Sequence, residues 1–80
     1  MPTFARIGPY RFFIFGNEGL EPMHVHVQRD RSLAKFWLRP IALASCSGFP
    51  AHELRRIQRL VEERREEFEE SWREFFAPQR

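Results

Sequence analysis

His24-Val25-His26-Val27-Gln28-Arg29 alternates valine with polar side chains. Successive side chains on an extended strand project to opposite faces, so Val25 and Val27 share one side and His24, His26 and Gln28 share the other. The valines belong to a core, and the histidines then face away from it. Leu33 to Leu38 takes the same form, with Ala34, Phe36 and Leu38 suited to the core and Leu33, Lys35 and Trp37 opposite. Tyr10 to Phe15 is apolar on both faces, the pattern of a central strand, with Phe12 and Ile14 on one side and Arg11, Phe13 and Phe15 on the other. Thr3 to Ile7 reads as a short strand closed by Gly8-Pro9. Gly16-Asn17-Glu18-Gly19 breaks the chain after Phe15, Arg29 to Ser32 makes a polar turn, and Pro40 stops the last strand. These segments predict a three- to four-stranded antiparallel sheet over residues 3–38, joined by hairpins. Ile41 to Ser47 fits a helical turn or a docked loop and falls in a connecting segment, 39–49.

From Pro50 the period changes. Leu54, Ile57, Val61, Phe68, Trp72 and Phe75 recur at spacings of three, four and seven, and Leu60 and Phe76 widen the stripe. This predicts one long amphipathic helix over 50–77, about 38 Å long at 1.5 Å per residue. Pro50 suits its first position, Glu53 its first turn, and Pro78 its end. The expected class is therefore α+β, a single domain of residues 1–80 with the C-terminal helix packed on one face of the sheet.

The chain has 80 residues, 42% hydrophobic and 30% charged, with nine phenylalanines. That suffices for one small core with a thin stability margin. Cys46 is the only cysteine, which excludes an internal disulfide and a cysteine-based zinc site and suits a reducing, cytoplasmic location. The apolar run Phe12 to Phe15 is too short for a signal segment or a membrane span. Residues 1–49 carry six Lys/Arg against three Asp/Glu, and residues 50–80 carry seven against eight. The sheet half is the cationic half, which permits an anionic partner.

One helix covers one face of such a sheet. The opposite face is then expected to expose Phe13, Phe15, Trp37, His24, His26, Lys35 and Arg11. Contiguous aromatics of this kind usually meet something. Three readings compete: a homo-oligomer or protein partner buries them, they stack on nucleic-acid bases while Lys and Arg take phosphates, or Ile41 to Ser47 folds back over them.

His24 and His26 project the same way and can converge on one small target. Three roles are open. As acid and base they suit phosphoryl-transfer cleavage of RNA, with Arg11, Lys35 or Arg29 steadying the phosphate. With Glu18 or Glu21 they suit a two-histidine, one-carboxylate site for a divalent metal. As ordinary strand residues they act as hydrogen-bonding struts; His52, in the first helical turn, is read as structural. Arg55 has no acidic neighbour at helical spacing and Arg56 only Glu53, so both are candidate contacts for an external anion or acidic partner. The Glu-rich stretch 62–70 reads as a solvated helix face, with Arg59–Glu63, Arg65–Glu69 and Glu69–Arg73 within pairing reach. Cys46 reads as a small buried residue.

Tyr10-Arg11-Phe12-Phe13, Asn17-Glu18, Glu21-Pro22-Met23-His24-Val25-His26-Val27, Ala34-Lys35-Phe36-Trp37-Leu38 and Glu53-Leu54-Arg55-Arg56-Ile57 together resemble a small bacterial family, domain of unknown function 4160. The likeness spans nearly the whole chain, and its most specific parts are the proline–His-Val-His-Val and Ala-Lys-Phe-Trp segments. It implies a bacterial protein encoded beside a second short protein, of family 2442, in an arrangement like a toxin–antitoxin pair. Family members usually carry Ser or Thr where this chain has Pro50, so a helix-capping box is missing here.

The expected function is thus a component of a toxin–antitoxin-like module, acting through protein–protein contact and through RNA binding or cleavage. Its partners are the family 2442-like neighbour, further copies of itself, or RNA, with no membrane and no cofactor. His24 and His26 are the catalytic candidates for a ribonuclease, and Arg11, Phe13, Phe15, Lys35, Trp37, Arg55 and Arg56 the contact candidates. The alternatives are a metal protein using His24, His26 and Glu21 with a divalent ion, and a non-catalytic adaptor.

Overall fold

The structure, a computed structural model, describes residues 3–16 and 19–77. Five strands follow one another as an antiparallel meander: β1 (Thr3–Ile7), β2 (Tyr10–Phe13), β3 (His24–Arg29), β4 (Ser32–Leu38) and β5 (Ile41–Ser47). Two helices follow, α1 (Ala51–Glu63) and α2 (Arg65–Phe75). The α+β class is as expected, but the strand count and the single helix are corrected.

The extra strand is the segment placed in the connection. Arg39-Pro40 reverses the chain in two residues, so Ile41 lands opposite Leu38 and the backbone runs on along the open edge of β4. Its small residues, Ala42, Ala44, Ser45 and Ser47, carry too little periodic contrast to announce a strand. Two other hairpins are equally tight. Gly8, at φ 57°, and Asp30, at φ 54°, occupy the left-handed turn positions that two-residue hairpins require and that glycine and aspartate tolerate. β2 ends at Phe13, two residues short of the expected Phe15.

The long apolar stripe is carried by two helices because the chain turns at Arg64 (φ −113°, ψ 17°), whose N–H is shared between the Leu60 and Val61 carbonyls. Glu62 to Glu67 is entirely charged, so no apolar anchor holds that turn straight between Val61 and Phe68. Beyond it Phe68 packs on Phe4 and Phe12, with ring centroids at 6.2 and 5.2 Å. α2 then lies along the end of the sheet where β3 begins and β4 ends. Pro50 is the residue before α1 rather than its first; its carbonyl accepts from the Glu53 and Leu54 N–H groups. Pro78 lies outside the described residues.

Register confirms the two faces read from alternation. Phe12 stands opposite Val27 and Val27 opposite Ala34, while Val25 stands opposite Phe36. These residues and Leu38 form the core with Phe49, Ile57, Val61 and Phe68. Full burial of each such side chain contributes about 1.5–3 kcal/mol.

Two carboxylates fasten the helices to this core. Glu53 of α1 accepts from Arg29 Nε and Nη2 at 2.7 and 2.8 Å and from the Tyr10 hydroxyl at 2.8 Å. Glu69 of α2, only 3% exposed, accepts from Arg39 Nε and Nη2 at 2.9 and 3.0 Å, with Arg65 and Arg73 beside it at 3.7 and 3.3 Å. Glu69 therefore departs from the solvated face expected of the Glu-rich stretch, because the Arg39 turn comes down onto it. Hydrogen bonds from Arg29, then Tyr10, hold the Glu53 carboxyl below the usual glutamate range, and those from Arg39 do the same for Glu69. Burial, then the neighbouring Glu53, pushes the Tyr10 hydroxyl up. Glu53 is thereby engaged by Arg29 and Tyr10 rather than by Arg56 alone.

Candidate functional site

The face away from α1 is a grid of cross-strand neighbours. Its central row runs Phe13, His26, Lys35, Ser45; the row beside it runs His24, Trp37, Ala42; a third runs Arg6, Arg11, Gln28, Leu33, Ser47. Sequence reading thus assigned the right residues to this side. It did not foresee their burial: Phe13 is 1% exposed, His24 0% and His26 7%.

The rings of this face cover one another. His26 stacks on Phe13 at 5.4 Å and meets the edge of Phe15 at 4.8 Å, and Phe13 and Phe15 meet edge to face at 5.5 Å. Arg11 lies over Phe13 at 4.6 Å while donating to Thr3 Oγ1 and Gln28 Oε1. His24 is closed in further. Trp37 approaches it at 5.7 Å from the sheet and Trp72 at 4.8 Å from α2. Trp72 belongs to the helical stripe, but the turn at Arg64 carries it round the sheet end to a histidine on the other side. Phe76 follows it at 4.5 Å and sits so close to Gly19 that an added Cβ there would lie 2.7 Å from the ring. Nothing in the helical spacing signals this wrap.

His24 Nδ1 lies 2.9 Å from the Pro22 carbonyl oxygen. A carbonyl only accepts, so Nδ1 carries the proton. Glu21 Oε1 is 4.0 Å from that nitrogen and receives Lys35 Nζ at 2.6 Å. Lys35 also sits 4.6 Å above Trp37. For the metal alternative, Glu21 is thus engaged by a cation and faces the protonated nitrogen of His24. Among the described residues no three His, Cys, Asp or Glu side chains are grouped to hold a metal ion. Glu18, the other carboxylate considered, lies outside the described residues.

His26 is the member of the pair that reaches open space. A groove of about 180 Å³ is lined by Phe15, His26, Leu33, Ala34, Ser45, Cys46 and Ser47. Three of those seven residues come from β5, which is why sequence reading missed the groove. Cys46, expected buried, is exposed on this edge strand, its thiol 3.6 Å from the Phe49 carbonyl. Arg11 and Lys35 share the face with His26. Arg55 and Arg56 do not: α1 packs on the valine side, which puts them across the sheet from the histidines.

Fold and site together define a small antiparallel meander, helices across one face and a histidine–aromatic row on the other. The chain belongs to the family described as Domain of unknown function (DUF4160), whose model matches residues 10–73, from the start of β2 into α2. No curated protein and no solved structure matches it. Among the described residues no helix is long and apolar enough to cross a membrane.

Proposed function

We propose that this chain is the RNA-contacting component of a bacterial toxin–antitoxin-like module in the cytoplasm, and that it meets RNA on the face carrying His26. The observation that carries this reading is the groove in which His26 and Phe15 adjoin Ser45 and Ser47, with Arg11 and Lys35 on the same face. Its volume of about 180 Å³ suits one base or one side chain rather than a larger ligand. An unstacked base rests there against Phe15 and His26, and Lys35 and Arg11 steady the flanking phosphates. Complete burial of His24 favours binding over a two-imidazole cleavage reaction, with His24 acting as a strut behind His26. The neighbouring small protein would relieve toxicity by occupying the same face.

Fluorescence anisotropy with a labelled single-stranded RNA tests this. Salt-sensitive binding is expected, weakened about tenfold in Phe15→Ala and in His26→Ala. Absence of binding at low salt, or variants that bind as tightly as the parent, would refute it. In cells, expression of the chain alone should arrest growth and co-expression of the neighbour should restore it.

A further inference from the structure

The two edges of the sheet are built differently. β1 is guarded by exposed Arg6 and by an irregular register between Thr3 and Ala5, two of the devices by which natural sheets discourage strand addition. β5 has no charged guard: from Pro40 to Ala51 there is no Asp, Glu, Lys or Arg, in a chain that is 30% charged. β5 itself carries exposed Leu43, 43% accessible, and the adjoining β4 carries Leu33, 37% accessible. Among the described residues no strand pairs with its outer side.

We infer that β5 pairs antiparallel with β5 of a second copy of this chain, giving a continuous ten-stranded sheet about a two-fold axis near Ala44. This goes beyond the RNA reading, which uses the groove between His26 and the histidine-side residues of β5 rather than the outer backbone edge of that strand. The argument for a second copy comes from α1. The link from β5 to α1 is short, Gly48 to Pro50, and α1 packs on both β5 and β4. α1 therefore runs back along β5, and its midpoint, Ile57, falls near the midpoint of the strand, Ala44. A two-fold axis between the paired β5 strands thus passes beside the middle of α1 and sets the two α1 helices side by side and antiparallel. With paired strands about 4.8 Å apart and each helix above the β4–β5 pair, the helix axes lie about 10 Å apart, an ordinary packing distance.

Glu53 fixes which side of α1 faces outward, because it points toward Tyr10 and Arg29, away from β5. At 100° per residue the flank on the β5 side carries Arg55, Gln58 and Glu62. Arg55 and Glu62 are exposed and lie on either side of the helix midpoint, so the two-fold brings Arg55 of each copy to Glu62 of the other. Among the described residues Arg55 makes no ion pair in its own chain, while Glu62 receives Gln58 at 3.3 Å. The arginine without an acidic neighbour at helical spacing thus acquires one through symmetry, twice per dimer.

Sedimentation equilibrium of the full chain tests this, with circular dichroism to confirm folding of each variant. The parent is expected to dimerise. Arg55→Glu alone and Glu62→Arg alone each set like charges against one another and should raise the dimer dissociation constant about tenfold. The double variant Arg55→Glu/Glu62→Arg restores both pairs and should return it to near the parent value. Leu43→Lys, a charge placed on the pairing edge, should leave a folded monomer. A parent that stays monomeric at millimolar concentration, or a dimer indifferent to Leu43→Lys or to both single charge reversals, would overturn the proposal. RNA binding measured on the Leu43→Lys monomer keeps this outcome separate from that of the RNA reading.

Discussion

Both faces of the sheet bury side chains, but for different reasons. On the valine side Phe12, Val25, Val27 and Phe36 are covered by other elements, α1 and the start of α2. On the histidine side Phe13, His24 and His26 are covered, among the described residues, by one another, by Phe15, Arg11 and Trp37, and by Trp72, which reaches them from the end of the sheet. A layer of helix is therefore not the only means of burying side chains on a sheet face. A mosaic of flat rings lying across neighbouring strands can do so, and can hold imidazoles as well as phenyl groups, because a ring nitrogen can reach a carbonyl such as that of Pro22.

The sharpest way to break the comparison is to hollow out the valine side. Phe36 has no exposed surface, and Phe36→Ala should cost about 3–5 kcal/mol by lost transfer and cavity formation. That is a large share of the stability of an 80-residue domain, and urea unfolding should find the variant close to unfolded. His24→Ala probes the other face. It removes a buried ring between two tryptophans and a hydrogen bond to Pro22, for about 2–3 kcal/mol, less because α2 can settle into the space. Here the tryptophan emission should also shift to the red, which the Phe36 variant in its folded fraction should not show. An His24→Ala protein as stable as the parent would mean that the ring mosaic is ornament rather than support.

Smaller effects sharpen the picture. Glu69→Gln keeps the shape of the side chain but loses its charge toward Arg39, Arg65 and Arg73, and should cost about 1 kcal/mol, seen as a modest fall in melting temperature. Acid acts on both helix clamps together. Glu53 and Glu69 have folded pKa values below their unfolded ones, so the unfolded chain takes up protons first. Their contribution is complete above the unfolded glutamate value, about 4.3, and is lost as pH falls through it toward the lower folded values. Stability measured from neutral pH downward should therefore decline in that window, and less steeply in Glu69→Gln. Least of all should come from Lys35→Ala, whose pair with Glu21 is partly exposed and is expected to contribute less than about 1 kcal/mol.

Several features were legible because they are local. Alternation at His24–Gln28 and Leu33–Leu38 assigned those side chains to their correct faces, since two-residue periodicity needs no knowledge of what lies across the sheet; Arg29, expected to steady a phosphate beside the histidines, instead holds Glu53 of α1. The Arg65–Glu69 and Glu69–Arg73 pairs followed in the same way from helical spacing, whereas Arg59–Glu63, at the same spacing, forms no ion pair among the described residues. Other features were hidden because they depend on distant meetings. Ile41–Ser47 is a strand only because Arg39-Pro40 delivers it to the edge of β4. Cys46 is exposed only because that edge is the last in the sheet. A stripe continuous from Leu54 to Phe75 gave no hint of the turn at Arg64.

The amino-acid sequence by itself determined the α+β class, the two-faced strands, the tight hairpins at Gly8-Pro9 and Asp30-Arg31, and an amphipathic C-terminal half. Each follows from intrinsic backbone preference or from the period at which apolar side chains recur. Only the tertiary structure decided that Phe13, His24 and His26 on the face opposite α1 would be buried, that Glu53 and Glu69 would be claimed by Arg29 and Arg39, and that His26 rather than His24 would border the groove. Burial and pairing are properties of residues far apart in the chain, and they are settled only when the strands and helices that carry them come together.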